Sequence, residues 1–265
     1  MKVMSLLGVL LPLTMSAAAS AAEDALMKEL VPTGKLRVGL AYAPAKTPVF
    51  VTKDAAGEVE GVGLELAKTL ARSLGVDLEL FVAATTGELT EASTVGRIDV
   101  GITPVDDERR KHVDFSPPFF IIESTYLVTA ASGISSQVDV DRPEVTVAGI
   151  AGSTTIRAAG RSLKHAKVVA LGSVAEAMAM MQAGTAQALA LSRDAMPALQ
   201  KSLPGSRVVD GAFQVTGVAL SVPKNRPAAL AYVTRFIESA KADGTIRRAF
   251  DAAGLRDLAV APAGE

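Results

Sequence analysis

Short apolar runs alternate with amphipathic helical segments along this chain, and this alternation limits its possible folds more than any other feature. The run LRVGLA (residues 36–41) has the pattern of a buried strand, and GLELAKTLARSLG (63–75) places apolar residues on one helical stripe. Two further strand patterns follow, at 76–82 and 98–103. A β-α-β-α-β order of this kind predicts a mainly parallel sheet with helices on its faces.

A second unit with the same alternation begins after the polar segment 132–143. Its helix SVAEAMAMMQAG has a capping box formed by Ser173 and Glu176, and Gly184 closes it. We interpret the methionines of this helix as core residues. The remaining predicted elements are strands at 145–148, 167–171, 188–192 and 215–222, and helices at 154–163, 227–242 and 245–253. The sequence therefore predicts an α/β protein built of two similar units.

The composition excludes several kinds of chemistry. The 265-residue chain has a net charge of −1 and no cluster of basic residues, so nucleic acid is not an expected partner. It contains no cysteine, and its two histidines, His112 and His165, are not at metal-ligand spacing. It also lacks the glycine-rich phosphate loops and the nucleophile elbow. We therefore expect a binding protein with no metal and no cofactor.

The first residues have the pattern of a secretory signal peptide, predicted at 1–22. Lys2 is followed by an apolar stretch from Val3 to Met15, and Ala19-Ser20-Ala21 fits the small-x-small cleavage pattern. The apolar stretch is too short to span a membrane, which takes about 20 residues. Cleavage near Ala21 or Ala22 would release the mature chain into the periplasm or outside the cell.

Two loops at the carboxyl ends of predicted strands carry groups that attract anions. In TPVDDERRKHVDFSPPFF (103–120), Asp106 or Asp107 can cap a helical turn, which places Arg109 in its first turn. A guanidinium group suits a carboxylate. Pairing of Arg109 with its acidic neighbours explains this loop equally well.

The second loop is AGIAGSTTIRA, at residues 148–158. Gly152 permits the turn, and Ser153, Thr154 and Thr155 offer hydroxyl and backbone N–H groups at a helix start. An ordinary helix cap has the same pattern. Two such loops on facing units would form a clamp for a carboxylate.

Taken in order, the motifs resemble the periplasmic solute-binding proteins of the polar amino-acid class that serve ABC importers, bacterial extracellular solute-binding protein family 3. The resemblance runs from about Gly34 to Phe250 and is carried by GKLRVGLAYAP, GEVEGVGLELAKTLARSLGV, GRIDVGITPVDDERRKHVDFSPPF, AGIAGSTT and VALSVPKN…AYVTRFIESAKADGTIRRAF. It implies a two-lobed periplasmic-binding-protein type II fold of mainly parallel sheets, with two crossover strands at the hinge and the solute enclosed by closure of the lobes.

The resemblance also implies how the chain is divided. Residues 34–128 would form the first segment of lobe 1, 129–214 lobe 2, and 215–258 the segment that returns to lobe 1. The crossings would lie near 127–131 and 213–216. A membrane permease of an ABC importer is the implied partner, and we expect a monomer.

By the same resemblance, Arg109 is the carboxylate-binding arginine, and Ser153, Thr154 and Thr155 are the matching site on lobe 2. Thr103 is a further candidate, although the segment from Asp99 to Arg109 is about two residues shorter than the family pattern.

The acid that grips an α-amino group in the family corresponds to Ser192, which Arg193 follows. Near the mature start, where many members carry an acid, this chain has Ala41 and then Tyr42. We therefore predict an anionic solute, a dicarboxylate or a carboxylate with a polar tail, contacted by Tyr42, Ser192 and Arg193. Arg193 could instead be a surface residue, and Asp194 could replace the missing acid.

Two other functions stay open at this point. Periplasmic dehydratases of the cyclohexadienyl type share the fold and would need a cleft acid, for which Asp106, Glu123 and Asp194 are the candidates. The protein could also deliver its ligand to a receptor. Binding without catalysis is the prediction.

Overall fold

The structure is a computed structural model that describes residues 13–43 and 47–264. Its helices are α1 (Leu13–Leu30), α2 (Val62–Leu74), α3 (Thr86–Thr94), α4 (Asp107–Arg110), α5 (Thr154–Ser162), α6 (Val174–Gln182), α7 (Met196–Gln200), α8 (Pro227–Ala242) and α9 (Thr245–Ala252). Its strands are β1 (Lys35–Tyr42), β2 (Phe50–Lys53), β3 (Val59–Glu60), β4 (Asp77–Ala83), β5 (Val100–Pro104), β6 (Val113–Phe115), β7 (Phe120–Val128), β8 (Thr146–Ile150), β9 (Lys167–Leu171), β10 (Ala188–Ser192), β11 (Arg207–Val208) and β12 (Gln214–Pro223).

The sheet confirms the predicted α/β class. Strand β1 pairs in parallel with β4 and β5, and β8 pairs in parallel with β9 and β10. We call the part that carries β1–β6 lobe 1 and the part that carries β8–β10 lobe 2. Each lobe thus contains the parallel β-α-β arrangement that the alternating pattern predicts.

Two antiparallel strands join the lobes. The first half of β7 pairs with β12, and its second half pairs with β10. Ser124 lies opposite Gln214 on one side and opposite Ser192 on the other. The family resemblance implies crossings near 127–131 and 213–216, and β7 changes its partner from β12 to β10 at Ser124, opposite Gln214. The division of the chain at residues 128 and 214 stays a prediction.

Helix α2 has the buried stripe and the glycine end that its sequence pattern predicts. Leu66 and Leu70 on its predicted stripe are each 1% exposed, and burying a leucine contributes about 1.5–3 kcal/mol. Gly75 ends the helix with a left-handed φ of 68°, as its position predicted. In lobe 2, Met178 and Met181 of α6 are buried in the core, which confirms their structural interpretation.

The end of α1 belongs to the lobe 1 core. Leu30 is fully buried, the backbone N–H of Ala229 in α8 donates to the Glu29 carboxylate at 3.0 Å, and Arg226 donates to the Glu29 carbonyl at 2.6 Å. Part of the predicted signal peptide, residues 1–12, lies outside the described residues, and cleavage stays a prediction. No helix within the described part of the chain is long and apolar enough to cross a membrane.

Candidate solute-binding cavity

A cavity of about 300 Å³ lies between the lobes, where the parallel strands of both lobes end. In open α/β sheets ligands bind at the carboxyl ends of strands, and this volume suits a small metabolite. Its apolar wall consists of Tyr42, Ala43, Val49, Phe50, Ala84, Pro104, Ile122, Ile150, Val174, Ala175 and Leu191. Its hydroxyl-bearing wall consists of Thr85, Thr86, Ser153, Thr154, Thr155, Ser173 and Ser192.

Three helices begin at this wall. The side chain of Thr85 caps α3 by accepting from the N–H of Glu88 at 3.2 Å. Ser153 caps α5 and Ser173 caps α6 through equivalent bonds of 3.1 and 3.2 Å. Because a helix N-terminus carries about half a positive charge, the start of α5, whose first turn has no acid, favours an anion; Glu88 and Glu176 offset this charge at the starts of α3 and α6.

The carboxylates of the first turns of α3 and α6 bond back to the backbone at their own helix starts. Glu88 accepts from the backbone N–H of Ala84 at 3.1 Å, and Glu176 accepts from that of Gly172 at 3.1 Å. Among the described residues, no Asp, Glu, Lys or Arg side chain lines the wall. The segment 44–46 lies outside the described residues, and its sequence, PAK, contains no acid.

Arg109 lies behind the wall and is 2% exposed. Its Nη1 donates to the Pro104 carbonyl and to the Thr154 hydroxyl, both at 2.9 Å. Its Nη2 donates to the Thr86 hydroxyl at 2.7 Å and to the Gly152 carbonyl at 2.8 Å, and its Nε donates to Thr90 at 3.1 Å. The five N–H groups of the guanidinium are therefore engaged by the protein. Burial lowers the pKa of Arg109 to about 10, so the group stays charged at neutral pH.

Asp106 joins Arg109 to a cation of the other lobe. Its Oδ1 caps α4 by accepting from the N–H of Arg109 at 2.9 Å, as the sequence predicted. Its Oδ2 pairs with Nη2 of Arg157 in α5. Burial disfavours the charged form of Asp106, but the Arg109 N–H and the two guanidinium groups outweigh it and lower the pKa. The pair therefore links lobe 1 to lobe 2 beside the cavity.

The backbones of the two lobes touch at the same seam. A Cβ atom placed on Gly87 would lie 3.1 Å from the Cα of Gly152, and one placed on Gly152 would lie 3.0 Å from the Cα of Gly87. Gly152 also has a left-handed φ of 68°, which fits the turn predicted for it. Only glycine at both positions permits this approach without a shift of one lobe.

The structure places five of the predicted site residues on the cavity wall: Tyr42, Ser153, Thr154, Thr155 and Ser192. Thr155 is also tied to the hinge, because its hydroxyl lies 3.1 Å from that of Ser124 in β7.

Two predicted residues lie elsewhere. Thr103 is 2% exposed inside β5, and its neighbour Pro104 lines the cavity instead. Arg193 lies outside the wall because Glu123 on β7 accepts from its Nε at 2.9 Å and the carbonyl of Gly211 accepts from its Nη2. The expectation that Arg193 faces the cavity is therefore corrected. Asp194 does not line the wall either, and its burial raises the pKa of its carboxyl.

The first turns of α3 and α6 belong to the wall but are not among the predicted site residues. Thr85 and Glu88 form the capping-box pattern T-x-x-E directly after a strand, which would have identified the start of α3. Ser173 was recognised as a cap but not as a wall residue. Within the described residues, no group of three or more His, Cys, Asp or Glu could hold a metal ion.

Comparison with known proteins assigns this architecture to a family. A model of bacterial extracellular solute-binding proteins, family 3, matches residues 37–252. The glutamine-binding protein of Geobacillus stearothermophilus is 30% identical over 193 residues, which cover 71% of this chain and 72% of that protein.

Solved structures of similar fold support the same family assignment. The ancestral amino acid-binding protein AncCDT-1, described as a precursor of cyclohexadienyl dehydratase, is 31% identical with a TM-score of 0.73, covering 85% of this chain and 98% of that one. A putative binding component of an ABC transporter from Wolinella succinogenes, complexed with lysine, is 26% identical with a TM-score of 0.72, covering 83% and 95%. This chain belongs to family 3 of the bacterial extracellular solute-binding proteins.

Proposed function

We propose that the protein is the periplasmic solute-binding component of an ABC importer and that it captures a small carboxylate-bearing solute between its lobes. The observation that carries this proposal is the convergence of three helix N-termini, capped by Thr85, Ser153 and Ser173, on one interlobe cavity. Membership of family 3 supports the transport role. The glutamine-binding relative and the lysine-bound structure support an amino-acid-like solute.

The carboxylate would bind at the first turn of α5. The backbone N–H groups of Thr154 and Thr155 have no partner inside the helix at this position, and both hydroxyls are on the wall. Hydrogen bonds to a charged group contribute about 1.5–3 kcal/mol each. Arg109 adds positive charge directly behind Thr154, and a direct contact with the solute would require it to exchange one of its protein acceptors.

The proposed solute carries a net negative charge. Arg193 no longer supports this proposal, since Glu123 pairs with it outside the cavity. The start of α5, whose first turn carries no acid, provides a different reason for the same charge, whereas Glu88 and Glu176 offset the starts of α3 and α6.

A dehydratase is not favoured. Such an enzyme needs an acid within reach of its substrate. Asp106 is engaged by two arginines, Glu123 by Arg193, and Asp194 does not line the cavity.

A dye-reported thermal-shift screen tests the proposal, because the chain has no tryptophan to report binding. A ligand at 100 times its dissociation constant stabilises a protein by about 2.7 kcal/mol. We expect shifts with small carboxylates, lost in Thr154→Val and retained in Thr94→Val, which alters an exposed threonine at the end of α3. If amides and amines raise the melting temperature and no carboxylate does, the proposal is wrong.

A further inference from the structure

Strand β4 of lobe 1 lies at the edge of its sheet. All seven of its residues pair in parallel with β1, from Asp77 opposite Lys35 to Ala83 opposite Ala41. The other side of β1 is taken by β2 and β5, and among the described strands β4 has no second neighbour. The backbone N–H and C=O groups on the outer side of β4 are therefore available to a further strand.

One face of this edge strand is apolar. Because successive side chains of a strand point to opposite faces, Leu78, Leu80 and Val82 share a face. Leu78 packs against the core of lobe 1, whereas Leu80 is 37% and Val82 36% exposed. Two large apolar side chains thus remain in contact with water beside unpaired backbone groups. A strand edge of this kind is suited to pairing with another chain.

The other face of the strand carries an acid and, next to it, a cation. Glu79 is exposed and lies opposite Arg37 of β1, but Arg37 pairs with the buried carboxylate of Asp99 at 2.7 Å. The guanidinium group of Arg97 lies over the ring of Phe81, 4.5 Å from its centroid. The two exposed charges therefore stand two residues apart along the strand edge, one on Glu79 itself and one above Phe81.

We propose that two copies of the protein dimerise by antiparallel pairing of their β4 strands about a two-fold axis at Leu80. The lobe 1 sheet of one copy then continues into that of the other. In this register Glu79 of each copy lies directly opposite Phe81 of the second copy, over whose ring Arg97 of that copy is stacked. The axis therefore creates two symmetric pairs of opposite charge, and opposite charges across neighbouring strands stabilise a sheet.

The acids of β4 favour this register over its neighbours. A two-fold axis at Leu78 would place Asp77 opposite Glu79, and an axis at Glu79 would place this residue opposite itself. Like charges directly opposite each other destabilise strand pairing. An axis beyond Leu80 shortens the paired segment. With the axis at Leu80, all seven residues of β4 pair, and Leu78 lies opposite Val82 on the apolar face.

The dimer would not restrict closure of the cavity. Strand β4 belongs to lobe 1, so lobe 2 of each copy stays able to move against it. The inference therefore goes beyond the proposed function and does not depend on the identity of the solute. It departs from the monomer that the sequence analysis expects.

Sedimentation equilibrium of the mature protein over a concentration series, combined with hydrogen–deuterium exchange, tests the proposal. We expect the mass to rise toward that of a dimer, and exchange of the outward amides at 77–83 to slow, as the concentration increases. A protein that stays monomeric up to a concentration of about 1 mM overturns the inference. A dimer that forms without added protection at 77–83 uses another surface and overturns it as well.

An exchange of charges identifies the contact. Glu79→Arg and Arg97→Glu should each raise the dissociation constant of the dimer at least ten-fold, because each places like charges opposite each other across the axis. The combination of both substitutions should restore the dimer. Lys201→Glu changes an exposed residue after α7 by the same charge and should leave the dimer unchanged.

Melting temperatures in dilute solution verify that each single variant is folded. Dimers that withstand both single substitutions, or that the combination does not restore, contradict the pairing of Glu79 with Arg97. Should a single variant fail to fold, the sedimentation and exchange measurements on the original protein still decide whether β4 forms the interface.

Discussion

The carboxylate of Asp106 in lobe 1 pairs with the guanidinium of Arg157 in lobe 2, directly beside the bonds that Arg109 makes to Thr154 and Gly152. The same acid caps α4 and so fixes the turn that carries Arg109. One carboxylate thereby orients the buried arginine and joins the two lobes. Closure of the cavity and the position of Arg109 are therefore coupled through Asp106.

Arg157→Gln should favour the open arrangement of the lobes. The variant removes the positive partner of Asp106 but leaves Arg109 in place, so we expect affinity for the solute to fall about ten-fold, equivalent to about 1.4 kcal/mol. The radius of gyration without ligand, measured by small-angle X-ray scattering, should rise. Arg161→Gln, on an exposed position of the same helix, is the control. Equal affinities in both variants would exclude a role for the pair in closure.

Gly87→Ala should block the approach of the lobes. The new Cβ would lie 3.1 Å from the Cα of Gly152, and Gly87 has no left-handed φ that would strain an alanine. We expect an affinity loss of at least ten-fold with little change in melting temperature. Gly160→Ala in α5, where a Cβ meets nothing within 4 Å, is the matched control. Unchanged binding by Gly87→Ala would mean that the lobes do not meet at this seam in the bound state.

Arg109→Lys should reduce both stability and binding. A lysine retains the charge. Its ammonium group cannot donate to both carbonyls, of Pro104 and Gly152, and also to the three threonine hydroxyls that the guanidinium of Arg109 contacts. Chemical denaturation should show a loss of about 2–4 kcal/mol. Arg110→Lys, the exposed neighbour, should change neither property. A fully stable Arg109→Lys protein that has lost only its affinity would indicate that Arg109 contacts the solute directly.

The unfolding free energy should depend on pH through Asp106. Because the pKa of Asp106 is lowered in the folded protein, its charge stabilises the fold above the unfolded-state pKa near 4, and this contribution is lost as the pH falls through the folded-state pKa. Asp106→Asn should therefore destabilise the protein at pH 7 and lose less stability than the original protein below about pH 4.

Urea denaturation between pH 7 and pH 2 measures this difference. The acid-induced loss will be reduced rather than abolished, since the pKa values of Asp139, Asp141 and Asp243 are also lowered by hydrogen bonds. Asp107→Asn, one residue away and exposed, is the control. Parallel curves for the original protein and Asp106→Asn would contradict the assignment.

The sequence was sufficient to predict those structural features that follow from local patterns. The buried stripe with Leu66 and Leu70, the left-handed Gly75 and the cap at Asp106 each depend on residues within a few positions of one another, and all are as predicted. The family resemblance located Ser153, Thr154 and Thr155 on the wall in the same way, because a helix start after a strand is a local feature.

Side-chain directions set by distant partners could not be predicted. Arg193 turns away from the cavity because Glu123, 70 positions earlier in the chain, accepts its Nε–H. The starts of α3 and α6 carry local signals, but their convergence depends on the sheet order, which places β4 beside β1 and β9 beside β8.

The most direct test is a crystal structure of the protein with the tightest-binding carboxylate of the screen. We predict that its carboxylate oxygens lie within hydrogen-bonding distance of the Thr154 and Thr155 N–H groups at the start of α5, with the rest of the solute against Phe50 and Leu191. Density for the ligand outside this cavity, or with its carboxylate directed away from all three helix starts, would contradict the account.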